Sequence, residues 1–318
     1  MSASKNPSRS GNPARRAAAE RHQHEDGRSR ITWIDWIRGA RLRTLPLAVA
    51  PVAAGAGIAH MLQSFSWTLS LLALAVAVLL QIGVNFANDY SDGVRGTDEH
   101  RVGPARLTAS GLVKPRAVLA TALTFFALAA IAGLAAVVLS GRWWFLAVGA
   151  AAIVAAWFYT GGKRPYGYAG LGEVAVFVFF GLVATAGTVW LQSEIVPQEA
   201  WIAGAGVGLF AVAVLVANNT RDIGTDRLVG KRTLSVRIGD RASRILFTLC
   251  VLLPFAVPVV YVSVYPGMWL ALLVLFGAIP AAVIMLWARS AREMIAALAI
   301  TSLSALAYGA LLGVAFAF

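Results

Sequence analysis

The chain has 318 residues, of which 58% are hydrophobic and 13% are charged, and its formal net charge is +12. Roughly a quarter of the residues are charged in an ordinary soluble domain, and a soluble chain of this size could not bury so much apolar surface. The composition therefore excludes a disordered protein and predicts a polytopic membrane protein, while the single cysteine excludes a disulfide framework and a cysteine-rich metal site.

The first 43 residues differ in composition from the rest of the chain. Residues 1–30 are basic and contain almost no large apolar side chain, which is typical of a disordered cytoplasmic tail and unlike a cleaved signal peptide. Residues 31–43 mix Trp33 and Trp36 with arginines such as Arg38. This pattern fits a helix that lies in the membrane interface, and it fits equally well the solvated start of a first spanning helix.

Nine apolar stretches follow, each close to the ~20 residues that cross the hydrocarbon core of a bilayer. They cover residues 44–64, 68–91, 116–139, 143–160, 171–192, 200–219, 242–263, 266–288 and 292–316. The connections between them leave no room for a soluble domain. We therefore predict that residues 31–318 form one all-α domain, a polytopic membrane bundle of nine transmembrane helices.

Lysine and arginine fall almost entirely on one side of this predicted bundle. If the N-terminus is cytoplasmic, 26 of the 27 lie before the first span or in the connections after spans two, four, six and eight. Arg142 alone lies on the other side. The positive-inside rule then predicts a cytoplasmic N-terminus and an outside C-terminus in the cell membrane. Topology accounts for the net charge, so no nucleic-acid partner is predicted.

Two of the cytoplasmic connections contain acidic clusters that topology does not require, and each cluster begins with an asparagine at the inner end of a span. The members are Asn88, Asp92 and Asp98 after the second span, and Asn218, Asp222 and Asp226 after the sixth. The i,i+4 spacings place Asn88 with Asp92 on one helix face, and Asn218, Asp222 and Asp226 on another. Gly93 and Gly96 are expected to end the first helix and to let Asp98 fold back from a loop. Six of the eleven acidic residues beyond position 43 lie in these two connections.

The acidic clusters predict a site for Mg²⁺ and a diphosphate. Carboxylates on one face repel each other, and Mg²⁺ binds one or two carboxylates together with substrate phosphates and water. Nearby arginine and lysine side chains would contact the remaining phosphate oxygens. The alternative is that the Asp and Asn side chains only cap helices and solvate loops. Two such clusters at the inner ends of membrane spans favour the functional interpretation.

The two clusters resemble the signature motifs of the UbiA-type intramembrane prenyltransferases. The resemblance extends from about residue 36 to the C-terminus and includes the nine-helix count. The spacing Asn88-x3-Asp92-x5-Asp98 is similar to that of the naphthoquinone-prenylating branch of the family. So are four further motifs: Arg101-Val-Gly-Pro-x-Arg106-Leu, Tyr159-Thr-Gly-Gly, Leu171-Gly-Glu173 and Asn218-Asn-Thr-Arg-Asp-x3-Asp226. Asp89 also lies in the first motif, and we rank it below Asp92 and Asp98.

The resemblance implies a reaction and its substrates. Mg²⁺ and cationic side chains would bind a polyprenyl diphosphate and stabilise the charge that builds on the diphosphate as the C1–O bond breaks. An electron-rich ring carbon of 1,4-dihydroxy-2-naphthoate would then attack C1, and the carboxylate would leave as CO₂. The product would be demethylmenaquinone, an intermediate of menaquinone biosynthesis. Membrane lipids would surround the enzyme, and its active site would face the cytoplasm.

The resemblance also implies the site residues. Asn88, Asp92, Asp98, Asp222 and Asp226 would hold Mg²⁺, and the four aspartates together with Glu173 would be catalytic. The expected substrate-binding residues are Asn88, Arg101, Arg106, Tyr159, Lys163, Asn218, Asn219, Arg221, Arg227 and Lys231.

Two of these residues have open roles. Lys163 either anchors the inner end of a span or contacts the diphosphate or the acceptor carboxylate. Glu173 either stabilises a helix N-terminus or orients and deprotonates an acceptor hydroxyl. We expect both to face the acceptor. The tyrosines near the inner interface, among them Tyr159 and Tyr168, are expected mainly to be interface residues.

Two competing functions are weighed. The first is prenyl transfer to another aromatic acceptor, 4-hydroxybenzoate or homogentisate, against which the long Asn88–Asp98 spacing argues. The second is secondary transport. A transporter would be expected to bury charge near the bilayer midplane or to contain broken-helix repeats, whereas here the ionisable residues cluster at the inner ends of spans.

Overall fold

A computed structural model describes residues 32–97, 106–111 and 113–318, and no β-strand occurs among them. We number the helices of these residues in chain order and count a helix with a short 3₁₀ or π turn inside it as one. They are α1 (Trp33–Ala40), α2 (Pro46–Met61), α3 (Trp67–Val94), α4 (Pro115–Ser140), α5 (Phe145–Phe158), α6 (Gly172–Gln192), α7 (Gln198–Arg221), α8 (Ile223–Leu228), α9 (Leu234–Ile238), α10 (Asp240–Tyr261), α11 (Pro266–Trp287) and α12 (Ala291–Ala317).

All nine predicted stretches are helical, but the predicted count of nine spans is not reached in the described residues. Seven helices are long and apolar enough to cross a membrane, and α1 with α2 makes an eighth if the bent pair is one span. The exception is α5, which has 14 residues. At 1.5 Å per residue it is about 21 Å long, shorter than the ~30 Å hydrocarbon core.

Residues 33–40, which belong to the segment with two possible interpretations, form a separate helix, α1. Thr32 and Asp35 form a capping box that starts α1, and the axis bends by 47° between α1 and α2. The break between the two parts of this bent pair lies between Thr44 and Pro46, and Arg41, which ends α1, has a φ of 52° in the left-handed region. Trp33 and Ile34 are exposed on α1. Both interpretations of this segment stay open, because α1 and α2 together can also form one bent span.

The larger apolar core surrounds α7. In the most apolar stretch of this helix, 72% of the residues are buried. Helices α2, α10, α11 and α12 pack around it. Small residues bring backbones together in this group. A Cβ atom at Gly57 of α2 would lie only 2.0 Å from the carbonyl oxygen of Gly313 in α12, so the two helices are in direct backbone contact.

A second, smaller core joins α3 to α4 through side chains such as Phe86 and Phe126. Helix α1 lies against the same end of α3, because a Cβ at Gly39 would lie within 2.9 Å of atoms of both Phe86 and Leu107. A cavity opens between the two cores, and α5 and α6 contribute to its wall. The C-terminal ends of α3 and α7, which carry the two acidic motifs, meet at this cavity.

Candidate active site

Both acidic motifs lie on the wall of one cavity of about 570 Å³, a volume typical of small-molecule sites. The first motif occupies the last two turns of α3. The second spans the end of α7 and the short helix α8. The motif residues that line the cavity are Asn88, Asp92, Asn218, Asn219, Asp222 and Asp226. The structure therefore brings together two segments that are more than 120 residues apart in the sequence.

Asp92 is surrounded by donors from three other parts of the chain. Its side chain is 3% exposed, and its Oδ2 lies 3.4 Å from Arg106 Nη2 and 3.4 Å from Lys231 Nζ. The hydroxyl of Tyr168 donates to its Oδ1. These two cations place positive charge where a diphosphate would bind next to the carboxylate.

Tyr168 lies at the centre of this arrangement, in the turn Tyr166–Ala169. Lys231 Nζ is 4.5 Å from the centre of its ring, and the Arg95 guanidinium is 5.4 Å from it, so the ring contacts two cations. Burial first, and then the Asp92 carboxylate, raise the pKa of Tyr168 above its usual value. The phenol therefore stays protonated and remains a hydrogen-bond donor to Asp92.

Replacing Tyr168 with phenylalanine is expected to raise the Mg²⁺ concentration needed for half-maximal activity by about tenfold. The change removes one hydrogen bond to a charged group, worth ~1.5 kcal/mol or more, that orients Asp92. The matched control is Tyr166→Phe, because the Tyr166 hydroxyl donates to the carbonyl of Ala155 at 2.8 Å and to no carboxylate. Equal Mg²⁺ requirements for the two variants would contradict a positioning role for Tyr168.

Asn88 is tied to the loop that follows α5. Thr160 Oγ1 donates to Asn88 Oδ1 at 2.7 Å, and Arg95 donates to the carbonyl oxygens of Thr160 and Gly162. Both carbonyls lie in the loop after Phe158, the last residue of α5. This loop is therefore fastened to the end of α3 and to the first acidic motif.

In the second motif, Asp222 is paired with its own neighbour. Arg221 donates to both carboxylate oxygens at 2.8 and 2.7 Å. Asp226 is buried on the cavity wall one helical turn further on, and its backbone N–H donates to the Asp222 carbonyl at 2.8 Å. The two carboxylates thus sit on successive turns and face the same space as Asp92.

Glu173 takes part in the site through another residue. Asn219 Nδ2 donates to Glu173 Oε1 at 2.8 Å, and Asn219 lines the cavity whereas Glu173 does not. Glu173 is 5% exposed, and its Oε2 is buried with no hydrogen-bond partner among the described residues. In this arrangement Glu173 orients Asn219 toward the cavity.

The oxygen ligands of the two motifs suit a Mg²⁺ ion that is also bound by a substrate phosphate, rather than a metal ion held by protein ligands alone. Within the described ranges, no three His, Cys, Asp or Glu side chains are grouped closely enough to hold a metal ion. Mg²⁺ takes hard oxygen ligands and usually completes its shell with substrate phosphates and water. Asn88 with Asp92 and Asn218 with Asp222 and Asp226 supply such oxygens from two sides, which suits an ion bridged by a phosphate substrate.

The remaining predicted residues have different positions. Tyr159, Arg106 and Lys231 line the cavity. Lys163 and Arg227 are exposed and do not line it, and Arg221 contacts it only through Asp222. Asp98 and Arg101 lie outside the described residues.

Asp89 has a structural role, which agrees with its lower rank. Its Oδ2 accepts from the backbone N–H of Leu107 and its Oδ1 from that of Thr108, both at 2.9 Å. The carboxylate therefore holds the turn that carries Arg106.

Sequence reasoning missed several residues of the cavity wall. The sequence predicts Tyr168 to be an interface residue and Arg41 to face lipid headgroups, and it predicts no role for Thr44, Gln81 or Asn85, yet all five line the cavity. One signal was present in the sequence. Gln81 and Asn85 precede Asn88 and Asp92 at spacings of four, three and four, so the polar face of α3 extends further than the motif.

Most of the remaining cavity wall is apolar. Side chains of α4, α5 and α6 form a large part of it, including Val137, Ile153 and Phe179. The cavity also contacts Ala73, near the start of α3, so it follows this helix for about 28 Å at 1.5 Å per residue from Asp92. A long hydrocarbon group with a charged head at the motif end fits this shape.

Known proteins resemble the chain in sequence. A family model described as the UbiA prenyltransferase family matches residues 48–303. The 1,4-dihydroxy-2-naphthoate octaprenyltransferase of Mycobacterium tuberculosis is 55% identical over 216 residues, which are 68% of this chain and 74% of that protein. The Escherichia coli protein of the same name is 40% identical over 215 residues, 66% of this chain and 70% of that protein.

Solved structures resemble the chain in fold. A UbiA homolog from Archaeoglobus fulgidus bound to GPP and Mg²⁺ has a TM-score of 0.61 at 14% identity and covers 86% of this chain and 98% of its own. A UbiA homolog from Aeropyrum pernix K1, in the apo state, has a TM-score of 0.62 at 17% identity, covering 84% and 96%.

Proposed function

Because this chain belongs to the UbiA prenyltransferase family, we propose that it transfers a polyprenyl group from a polyprenyl diphosphate to 1,4-dihydroxy-2-naphthoate. CO₂ and diphosphate are released, and the product is the reduced, quinol form of demethylmenaquinone in menaquinone biosynthesis. The observation that carries the proposal is the meeting of two Asn-led acidic motifs and two cations at one end of an apolar cavity. The named relatives support the choice of acceptor.

The cations of the site bind the diphosphate. Arg106 and Lys231 already lie within 3.4 Å of the Asp92 carboxylate, so both can turn from that carboxylate to phosphate oxygens without leaving the cavity wall. Arginine offers a bidentate contact and lysine a point charge. Their charge stabilises the leaving diphosphate as the C1–O bond breaks.

Mg²⁺ is the proposed cofactor, and Asn88, Asp92, Asp222 and Asp226 would hold it together with Asp98. When bound, the ion would act as a Lewis acid that neutralises charge on the leaving diphosphate. The solved relative that contains GPP and Mg²⁺ supports this proposal. Tyr168 holds the side chain of Asp92 and Thr160 that of Asn88, while Glu173 holds Asn219 of the second motif, each through one hydrogen bond.

The apolar part of the cavity receives the polyprenyl chain and protects the reacting carbon. Breaking the C1–O bond creates allylic carbocation character, which water would quench. Side chains of α4, α5 and α6 exclude water from the space beyond Asn88. A ring carbon of the acceptor is then the nucleophile within reach, and the bond that forms joins it to C1.

We propose that the site faces the cytoplasm in a multi-pass protein of the cell membrane, with the N-terminus inside. Single cysteines at residues 163, 230 and 290 should react with a membrane-impermeant maleimide only after the inner face is exposed. Cysteines at residues 65, 195 and 265 should react in intact cells. The distribution of Lys and Arg motivates this expectation. Labelling of residues 163 and 230 on opposite faces would contradict a single site.

The experiment that tests the function is a product analysis with a panel of acceptors. The purified protein in lipid nanodiscs is given a polyprenyl diphosphate, Mg²⁺ and one acceptor at a time: 1,4-dihydroxy-2-naphthoate, 4-hydroxybenzoate or homogentisate. Mass spectrometry should find a prenylated product only with the naphthoate. A prenylated benzoate or homogentisate without a naphthoate product would overturn the proposed acceptor.

A further inference from the structure

The acidic motif on α3 is the end of a longer polar stripe. Gln81, Asn85, Asn88 and Asp92 share one helix face, and all four line the cavity. From Gln81 to Asp92 the stripe extends about 16 Å at 1.5 Å per residue. Asn88 and Asp92 belong to the proposed Mg²⁺–diphosphate site. Gln81 and Asn85 lie deeper in the span, are buried and have no role in that site.

Gln81 and Asn85 are hydrogen-bonded to the segment that joins α1 to α2. Asn85 Nδ2 donates to the Ala40 carbonyl at 2.9 Å and to Thr44 Oγ1 at 3.2 Å, and Gln81 Nε2 donates to Thr44 Oγ1 at 3.0 Å. Thr44 Oγ1 in turn donates to the Arg41 carbonyl at 2.9 Å. The hydroxyl hydrogen of Thr44 is therefore used, and its lone pairs receive the two amide N–H groups.

This network leaves one strong acceptor open. Gln81 Oε1 is buried and has no hydrogen-bond partner among the described residues, on a side chain that is 7% exposed. A buried carbonyl oxygen without a donor is unfavourable, and the wall position of Gln81 lets a cavity ligand supply that donor. A hydroxyl group of the ligand would satisfy it.

Arg41 adds a positive charge to the wall of the same cavity. It lines the cavity where α1 ends, and its φ of 52° is unusual for a residue other than glycine, asparagine or aspartate. Asn85 donates to the carbonyl of Ala40 and to the hydroxyl of Thr44, on either side of Arg41 in the sequence. A guanidinium is well suited to bind a carboxylate.

From these contacts we infer that Arg41 and Gln81 form the subsite for the ring acceptor, an aromatic compound with a carboxylate and a hydroxyl group. Arg41 binds the carboxylate and Gln81 Oε1 accepts from the hydroxyl. This assignment rests on the proposed function. It differs from the expectation that Lys163 and Glu173 face the acceptor, since neither of those residues lines the cavity.

The position of the subsite suits the reaction. Gln81 lies two helical turns, about 10 Å, below Asn88, so a two-ring acceptor held at Gln81 reaches toward the diphosphate end. The walls from α4, α5 and α6 are apolar and remain free for the polyprenyl chain. The two substrates would thus occupy different walls of one cavity, and their reacting carbons would meet beside Asn88.

The test measures equilibrium binding of three compounds that differ by one group. They are 1,4-dihydroxy-2-naphthoate, 2-naphthoate without hydroxyls and 1,4-naphthalenediol without the carboxylate, each titrated under argon into the protein in nanodiscs. Gln81→Leu should weaken binding of the dihydroxynaphthoate about tenfold and leave 2-naphthoate unchanged. Arg41→Gln should weaken binding of both carboxylates about tenfold or more and leave the diol unchanged.

Matched variants control for folding. Gln192→Leu and Arg142→Gln remove the same groups at side chains that do not line the cavity, since Gln192 bonds Ser66 and Arg142 bonds Ser193. Both should bind all three compounds as the wild type does. Arg41→Lys keeps the charge and should recover part of the carboxylate affinity if Arg41→Gln folds poorly.

The outcomes separate this inference from the proposed function. If the wild type prenylates the naphthoate and both variants bind all three compounds normally, the subsite is wrong and the function stands. Loss of affinity for the prenyl diphosphate instead of the acceptor would also overturn the subsite. If the wild type prenylates a different hydroxylated carboxylate, the proposed function is wrong. The subsite is then supported only if Gln81→Leu and Arg41→Gln both bind that compound more weakly than the wild type does.

Discussion

Replacing Asp92 or Asp226 with alanine is expected to reduce prenyl transfer by about 100-fold or more while the protein still folds and inserts. Both carboxylates are buried on the wall of the same cavity, at the ends of two different helices. Losing either one removes oxygen ligands from the proposed Mg²⁺ site, and electrostatic groups of this kind are typically worth about 10²–10³ in rate. The measurement is the initial rate of product formation in nanodiscs, with the thermal unfolding midpoint recorded in parallel.

Two other aspartates serve as controls for this prediction. Asp240 is half-exposed and pairs with Arg244 one helical turn away, so Asp240→Ala should retain nearly full activity. Asp89→Ala should lower the unfolding temperature, because the carboxylate holds the backbone of Leu107 and Thr108. A well-folded Asp92→Ala/Asp226→Ala double variant with wild-type activity would contradict the assignment of these carboxylates.

Removing divalent cations is expected to abolish turnover, and Mg²⁺ is expected to restore it. Asp92, Asp222 and Asp226 face a space in which a diphosphate would add several negative charges, so the polyprenyl diphosphate should bind weakly without the metal. Equilibrium binding of the diphosphate with and without Mg²⁺ gives a readout that does not depend on turnover. It should strengthen at least about tenfold with Mg²⁺ in the wild type.

The metal prediction also has a specific control. In Asp226→Ala the gain in diphosphate affinity on adding Mg²⁺ should largely disappear, whereas Asp240→Ala should behave as the wild type. Full activity in protein treated with EDTA, with metal analysis showing no divalent cation, would contradict a Mg²⁺-dependent reaction.

The sequence predicted the helical stretches and the meeting of the two acidic motifs well, because both depend on strong local signals. An apolar stretch of about 20 residues has few alternatives to a helix in lipid. The charge distribution then placed the connections after the second and sixth stretches on one side, and their acidic clusters stand out against an apolar background.

The residues that support the motifs could not be predicted in the same way. Tyr168 approaches Asp92 only because α3 and the turn after α5 are neighbours in space, 76 positions apart in sequence. Arg95 and Lys231 flank Tyr168 from different connections. Local patterns do not report such long-range contacts, so an aromatic residue near the interface was given its commonest role.

The number of spans and the end of α1 at Arg41 show a second limit of sequence patterns. Hydropathy locates α5 but not its helical length, since Arg142, Trp143 and Trp144 precede the helix and Tyr159 ends it. Arginine rarely adopts a positive φ, so nothing in the residues around Arg41 predicts its left-handed backbone. The groups on either side of it, the Ala40 carbonyl and the Thr44 hydroxyl, accept hydrogen bonds from Asn85, which lies on another helix.

The most direct test of the proposed function is the stoichiometry of a single reaction mixture. Purified protein in nanodiscs is given Mg²⁺, a polyprenyl diphosphate and 1,4-dihydroxy-2-naphthoate labelled in its carboxyl carbon, and CO₂, diphosphate and prenylated product are quantified together. We expect equal amounts of all three, with none formed when Asp92 and Asp226 are both replaced by alanine. Diphosphate release without labelled CO₂, or a product that retains the carboxylate, would contradict decarboxylating prenyl transfer to this acceptor.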